Sequence, residues 1–191
     1  MKRIGIFGGS FNPIHVGHIS LARQLLTLGG LDEVWLMVSP QNPLKLGRND
    51  LLDDNLRFEM TKKALEGEKG IKACDYELRL PKPSYTWNTL EHLKQDFSND
   101  TFVLLIGGDN WELFPRWYRS EDIVRNHQII VYPRRGSDID LTCLPPTVKI
   151  VDTELMDISS TEIRNRIKNG DSIDNLVPNS IIDDVKKNYR L

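Results

Sequence analysis

Cysteine is nearly absent. Cys74 and Cys143 are the only two in 191 residues, too few and too far apart for a disulfide framework or a thiolate metal cage. They read as ordinary thiols of a reducing compartment. No apolar run approaches the ~18 residues of a membrane span, and Met1-Lys2-Arg3 leads straight into a strand-like segment. The expectation is a soluble, cytoplasmic protein without a membrane partner. Neither sign of charge dominates: the formal net charge is -2, and lysines and arginines are scattered rather than striped. A nucleic-acid backbone is therefore a poor candidate partner, while small anionic ligands remain open. There is no internal repeat and no low-complexity segment. A chain of this length can bury one good core, so a single domain over residues 1–191 is expected.

What is present is an alternation. Residues 2–7 form an apolar strand-like run, and residues 16–28 carry Ile19, Ala22, Leu25 and Leu26 on one helical stripe that stops at Gly29-Gly30. Further strands are predicted over residues 33–39, 71–76, 101–106, 128–132 and 148–151, and further helices over residues 53–65 and 85–97. The tail reads as a helix from Ser160, a break at Gly170, a loop around Pro178 and a last helix to Tyr189. Apolar strands alternating with helices predict an α/β fold, a doubly wound, Rossmann-like and mostly parallel sheet with helices on both faces. Ligands of such sheets sit at the carboxyl ends of the strands. Residues 40–50 lack periodicity and read as a functional loop.

The first strand runs into Gly8-Gly9-Ser10-Phe11-Asn12-Pro13-Ile14-His15-Val16-Gly17-His18. Glycines at a strand-to-helix turn let backbone N–H groups approach an anion at the helix N-terminus. Gly8, Gly9, Ser10 and Phe11 are thus candidate ATP-binding residues. His15 and His18 are three apart and fall on one face of the first helical turn, as two switchable cationic donors facing one anion. A buried histidine pair capping the turn is the bland alternative.

A second constellation stands near the other end, in Ile158-Ser159-Ser160-Thr161-Glu162-Ile163-Arg164. Ser159 and Glu162 fit a capping box, the hydroxyls of Ser159, Ser160 and Thr161 gather at a helix N-terminus, and Arg164 follows about one turn on. Between the two ends, Gly107-Gly108-Asp109 can bring a ribose near bare backbone, with the Asp109 carboxylate accepting from sugar hydroxyls. Phe114-Pro115-Arg116-Trp117-Tyr118 offers an aromatic platform on which a flat ring could stack.

Both end motifs resemble those of the His-x-Gly-His nucleotidyltransferase superfamily, which moves a nucleoside monophosphate from a triphosphate to an acceptor. Nearly the whole chain resembles the bacterial nicotinate-nucleotide adenylyltransferases. The added residues are Pro40-x-Asn42-Pro43-x-Lys45, Asp75-Tyr76-Glu77-Leu78, Pro83-Ser84-Tyr85-Thr86, Arg134-Arg135 and Gly170-x-Ser172 with Leu176-x-Pro178. The resemblance implies ATP and nicotinate mononucleotide as substrates, deamido-NAD and pyrophosphate as products, and a Mg²⁺ ion held mainly by substrate phosphates. It implies that His15, His18 and Arg164 are catalytic. The ATP site would comprise Gly8, Gly9, Ser10, Phe11, Gly107, Asp109, Ile158, Ser159, Ser160 and Thr161. Trp117 would stack on the nicotinate ring, backbone at Thr86 and Tyr118 would receive its carboxylate, and Lys45 and Arg134 would meet the acceptor phosphate.

Two departures stand out. Asn12 replaces the usual Asp, and the loop reaching Lys45 is shorter than the common form. A related enzyme with nicotinamide mononucleotide or phosphopantetheine as acceptor, or a non-catalytic nucleotide sensor, are the competing readings. No protein nucleophile stands out, and none is needed, because the acceptor phosphate is itself mostly dianionic at neutral pH.

Overall fold

The computed structural model describes residues 1–40, 51–137, 139 and 144–190. Six strands, β1 (Arg3–Gly9), β2 (Glu33–Val38), β3 (Ile71–Cys74), β4 (Thr101–Gly107), β5 (Gln128–Tyr132) and β6 (Val148–Ile150), form one sheet in the order β3-β2-β1-β4-β5-β6. Every pairing is parallel. The helices are α1 (Val16–Leu28), α2 (Asp54–Ala64), α3 (Thr86–Asp96), α4 (Gly108–Leu113), α5 (Ser120–Asn126), α6 (Ser160–Asn169) and α7 (Ile182–Tyr189). This order reverses direction between β1 and β4, which opens a crevice at their carboxyl ends.

Period-2 alternation divides the core between the two faces of the sheet. Phe7, Val103 and Leu105 join α1, α2, α6 and α7 on one side, packed with Leu25, Met60, Ile163, Ile167 and Val185. Ile4, Ile6, Leu104 and Ile106 face the other way, toward Leu90, Leu93 and Ile123 of α3 and α5. Because both faces are covered, the strands carry apolar residues throughout, and that is why they were readable as strands.

The predicted third strand is shorter than expected. After Cys74 the chain turns at Asp75, whose carbonyl accepts from the Leu78 N–H at 2.9 Å, and residues Tyr76–Arg79 form a 3₁₀ turn. That turn carries Glu77 inward, where it accepts from the Thr89 hydroxyl of α3 at 3.0 Å. The functional loop predicted over residues 40–50 lies outside the described residues, apart from Pro40.

Candidate active site

The chain leaves β1 through residues 10–15. Phe11 adopts a positive φ of 43° and buries its ring against Phe7 and His18, with centroid distances of 5.8 and 5.1 Å. A side chain at Gly9 would meet that ring at 2.8 Å, so glycine is required there to admit Phe11. At Gly8 a Cβ would touch only the Ser39 Oγ at 3.8 Å, which leaves the backbone open toward the crevice. Ser10 turns its carbonyl inward to the Arg57 guanidinium.

His15 is the N-cap of α1 and His18 is its third residue. Their rings stack at 3.6 Å with an interplanar angle of 27°. The His15 backbone N–H donates to His18 Nδ1 at 3.3 Å, which places the His18 proton on Nε2. His15 Nδ1 is buried with no hydrogen-bond partner among the described residues. Burial, reinforced by Arg134, lowers the His15 pKa to about 4. Burial, then His15 and Arg134, pushes His18 well below its ordinary value. The pair is therefore neutral at pH 7 without ligand, where the spacing alone had suggested two cations. It does cap the turn, as the bland alternative held, while presenting a fixed N–H donor.

The other end of the chain meets this turn directly. Ser159 caps α6 by accepting from the Glu162 N–H at 3.1 Å, while the Glu162 carboxylate pairs with Arg166 at 3.0 Å. Only the first half of the expected capping box is therefore present. The Ser160 hydroxyl donates to the Pro13 carbonyl at 2.8 Å, and Arg164 Nη1 donates to the Asn12 carbonyl at 2.7 Å. Arg164 Nη2 also reaches the Thr161 hydroxyl at 3.3 Å. Thus residues about 150 apart in sequence are hydrogen-bonded across one junction, with the N-terminus of α6 beside the histidine turn.

Three roles escaped the sequence reading, those of Arg57 and Asn12 at this junction and that of Glu77 beside α3. Arg57 is fully buried, and its guanidinium donates to the carbonyls of Ser10, Ser39 (3.0 Å) and Leu52 (2.9 Å) while pairing with Asp54. Its signal was an arginine on the same helical face as the core residues Met60 and Ala64. Asn12 is buried, and its Oδ1 accepts from the Leu52 N–H at 3.2 Å and the Tyr189 hydroxyl at 2.7 Å. Glu77, buried beside Thr89, has its pKa raised by that burial.

On the far side of the crevice, β4 ends at Gly107 and α4 begins at Gly108. A Cβ on Gly108 would lie 2.3 Å from the Ser137 Oγ, so glycine there admits the chain that follows β5. Asp109 is exposed, and its carboxylate stands 3.9 Å from the Arg134 guanidinium. Arg134 lies over the Tyr132 ring at 5.7 Å. Trp117 is half-buried against Phe114, and its Nε1 is buried without a partner among the described residues. Tyr118 is exposed and sets its ring 4.8 Å from that of Tyr85, the N-cap of α3. Thr86 is the first residue of α3, where backbone N–H groups have no helical acceptor. Tyr118 and the start of α3 are thus brought together. Lys45 lies outside the described residues.

A parallel sheet of this order, with a glycine-histidine turn and a capped helix meeting at its crevice, defines a nucleotidyltransferase. The sequence pattern of the cytidylyltransferase-like family matches residues 6–166. A protein of Bacteroides fragilis named "Probable nicotinate-nucleotide adenylyltransferase" is 48% identical over 90% of this chain and 85% of its own length. One of the same name from Flavobacterium johnsoniae is 43% identical over 92% of each. The structure of Plasmodium falciparum nicotinic acid mononucleotide adenylyltransferase complexed with NaAD superposes with a TM-score of 0.79, at 23% identity, over 98% of this chain and 96% of that one, a likeness of fold. The chain belongs to the cytidylyltransferase-like family and, within it, to the nicotinate-nucleotide adenylyltransferases.

Proposed function

We propose that this chain joins ATP and nicotinate mononucleotide to give deamido-NAD and pyrophosphate. The observation that carries the reading is the junction at Asn12 and Pro13, where Ser160 and Arg164 are hydrogen-bonded to the histidine turn. One polyphosphate can then touch both motifs. The acceptor phosphate attacks the ATP α-phosphorus in line, and pyrophosphate leaves with the bonding electron pair. The protein aligns two anions and stabilises the charge on the phosphates.

In this reading His18 donates from Nε2 to the α-phosphate, with His15 stacked behind it and also within reach of the phosphates. Gly8, Gly9 and Ser10 supply the backbone along which the triphosphate lies, and Phe11 shapes that backbone from beneath. The backbone of Ile158 and Ser159, the α6 N-terminus at Ser160 and Thr161, and the Arg164 guanidinium receive the β- and γ-phosphates. The Ser160 proton is already donated to Pro13, so Ser160 contributes through its backbone and its placement of the loop. Gly107 and Asp109 take the ATP ribose, and Arg134 and Lys45 the acceptor phosphate.

Trp117 stacks on the nicotinate ring. N–H groups at Thr86 and Tyr118 receive the ring carboxylate, and they favour acid over amide, since the amide would turn its own NH₂ toward donors. The phosphate-facing groups are N–H donors, two imidazoles and a guanidinium, not the oxygen ligands that a hard cation takes. That chemistry fits a Mg²⁺ ion carried by phosphate oxygens and water, neutralising part of the triphosphate charge. We place the reaction in the cytoplasm, where a free thiol such as Cys74 stays reduced.

The test is direct. Mixing ATP with nicotinate mononucleotide should release pyrophosphate and form deamido-NAD in equal amounts. Failure of the protein to release pyrophosphate would overturn the reading and favour the nucleotide sensor, and faster turnover of phosphopantetheine or nicotinamide mononucleotide would reassign the acceptor.

A further inference from the structure

The turn that carries both histidines is hydrogen-bonded to several segments outside its own strand and helix. The Ser10 carbonyl accepts from Arg57, the Asn12 carbonyl from Arg164, and the Pro13 carbonyl from Ser160. The Val16 N–H donates to the Leu176 carbonyl at 3.0 Å. The Asn12 side chain is fixed by the Leu52 N–H and by the hydroxyl of Tyr189, which comes from the last residue of α7, 177 positions away. The Tyr189 ring is buried in the core formed by α1, α2, α6 and α7. Its hydroxyl emerges from that core at Asn12, one residue after the strained Phe11 and three before His15.

We propose that Tyr189 is a positioning residue for adenylyl transfer, fixing Asn12 and through it the placement of His15 and His18. The inference rests on the reaction proposed above. The ring anchors α7, and the hydroxyl spans the remaining gap to the turn. Phe11 at positive φ is a strained conformation that persists only where its neighbours over-determine the backbone. Releasing Asn12 removes one of those neighbours and lets the turn relax away from the geometry that aims His18 Nε2. A displacement of about 1 Å suffices to cost a reaction of this kind much of its rate.

The variant Tyr189→Phe deletes the hydroxyl and keeps the ring in the core. The expected result is a kcat about tenfold lower with ATP and nicotinate mononucleotide, and KM for nicotinate mononucleotide within about twofold of the parent. The thermal midpoint should change little. In the double variant with Asn12→Ala, the kcat should equal that of Asn12→Ala alone, because Asn12 Oδ1 is the acceptor through which the hydroxyl is proposed to act. Val185→Ala serves as the control, since it loosens the packing of α7 while leaving the hydroxyl, and should lower the thermal midpoint but not kcat.

A parent-like kcat in Tyr189→Phe would overturn the proposal, as would additive losses in the double variant or an equal kcat loss in Val185→Ala. If Tyr189→Phe failed to fold, the Val185→Ala and Asn12→Ala comparisons would decide whether kcat follows the bond or the packing. The ¹⁵N shifts of the His18 imidazole in the ligand-free protein give a readout independent of the acceptor. They should move in Tyr189→Phe and stay in Val185→Ala. An inactive parent protein would sink the proposed reaction, and the imidazole shifts would still test the link from Tyr189 to the turn.

Discussion

His18 holds its proton on Nε2 because its Nδ1 already accepts from the His15 backbone, so one bond sets both the ring's orientation and its tautomer. An N–H fixed in this way is a preorganised donor for charge that develops on a phosphate. His18→Ala is expected to leave the fold intact and to lower kcat by two orders of magnitude or more, about 3 kcal/mol, in a pyrophosphate-release assay. The pair also marks the acid limb of stability. Folded His15 titrates at about 4, whereas an unfolded histidine titrates near 6.5, so between those values the unfolded chain binds more protons. Stability therefore rises with pH across that window and is lost as pH falls through it. Urea unfolding should show a loss of about 2 kcal/mol from His15 on going from pH 7 to pH 5, with His18 adding in the same direction. A flat profile would contradict the neutral, buried pair.

At the scale of elements, local spacing made some features legible and long-range contact hid others. The helix over α1 was readable to the residue, because its stripe of Ile19, Ala22 and Leu25 and its closing glycines are written in consecutive sequence. The histidines were readable for the same reason. Arg57 was not, since its meaning depends on carbonyls at the ends of two other segments that only folding brings to it. Asn12 could be noticed as a departure from the usual Asp, but its work as an acceptor for Leu52 and Tyr189 is invisible without the third dimension. The end of β3 was misread because Tyr76 looks strand-like, while the inward pull of Glu77 on Thr89 favours a tight turn. Arg57→Met keeps the apolar stem and removes the donors, which leaves three carbonyls short of a partner. It should cost about 3 kcal/mol in unfolding free energy and lower kcat as the Ser10 turn loosens. Parent-like values of both would show that Arg57 is dispensable to the junction.

Across the whole molecule, the crevice between β1 and β4 separates two tasks. In the proposed reaction one wall, built from the histidine turn and α6, meets the ATP phosphates, and the other, built from α3 and residues 114–118, selects the acceptor, with Gly107 and Asp109 at the ATP ribose between them. That division predicts that Trp117→Ala raises KM for nicotinate mononucleotide at least tenfold, as loss of a stacked ring should, while KM for ATP changes by less than threefold. Equal losses for both substrates would make Trp117 a packing residue of its wall. The joining of the walls to distant parts of the chain also explains why the fold class was easier to read than the site. Alternation of strands and helices is a property of neighbours, whereas the site is a property of ends that meet.

The meeting of those ends on a single polyphosphate is most directly tested by a crystal structure with a non-hydrolysable ATP analogue. The triphosphate should lie between His18 Nε2 and the α6 N-terminus, within hydrogen-bond distance of both and of Arg164. A triphosphate bound elsewhere, or touching the histidine turn with no contact to residues 159–164, would contradict the account.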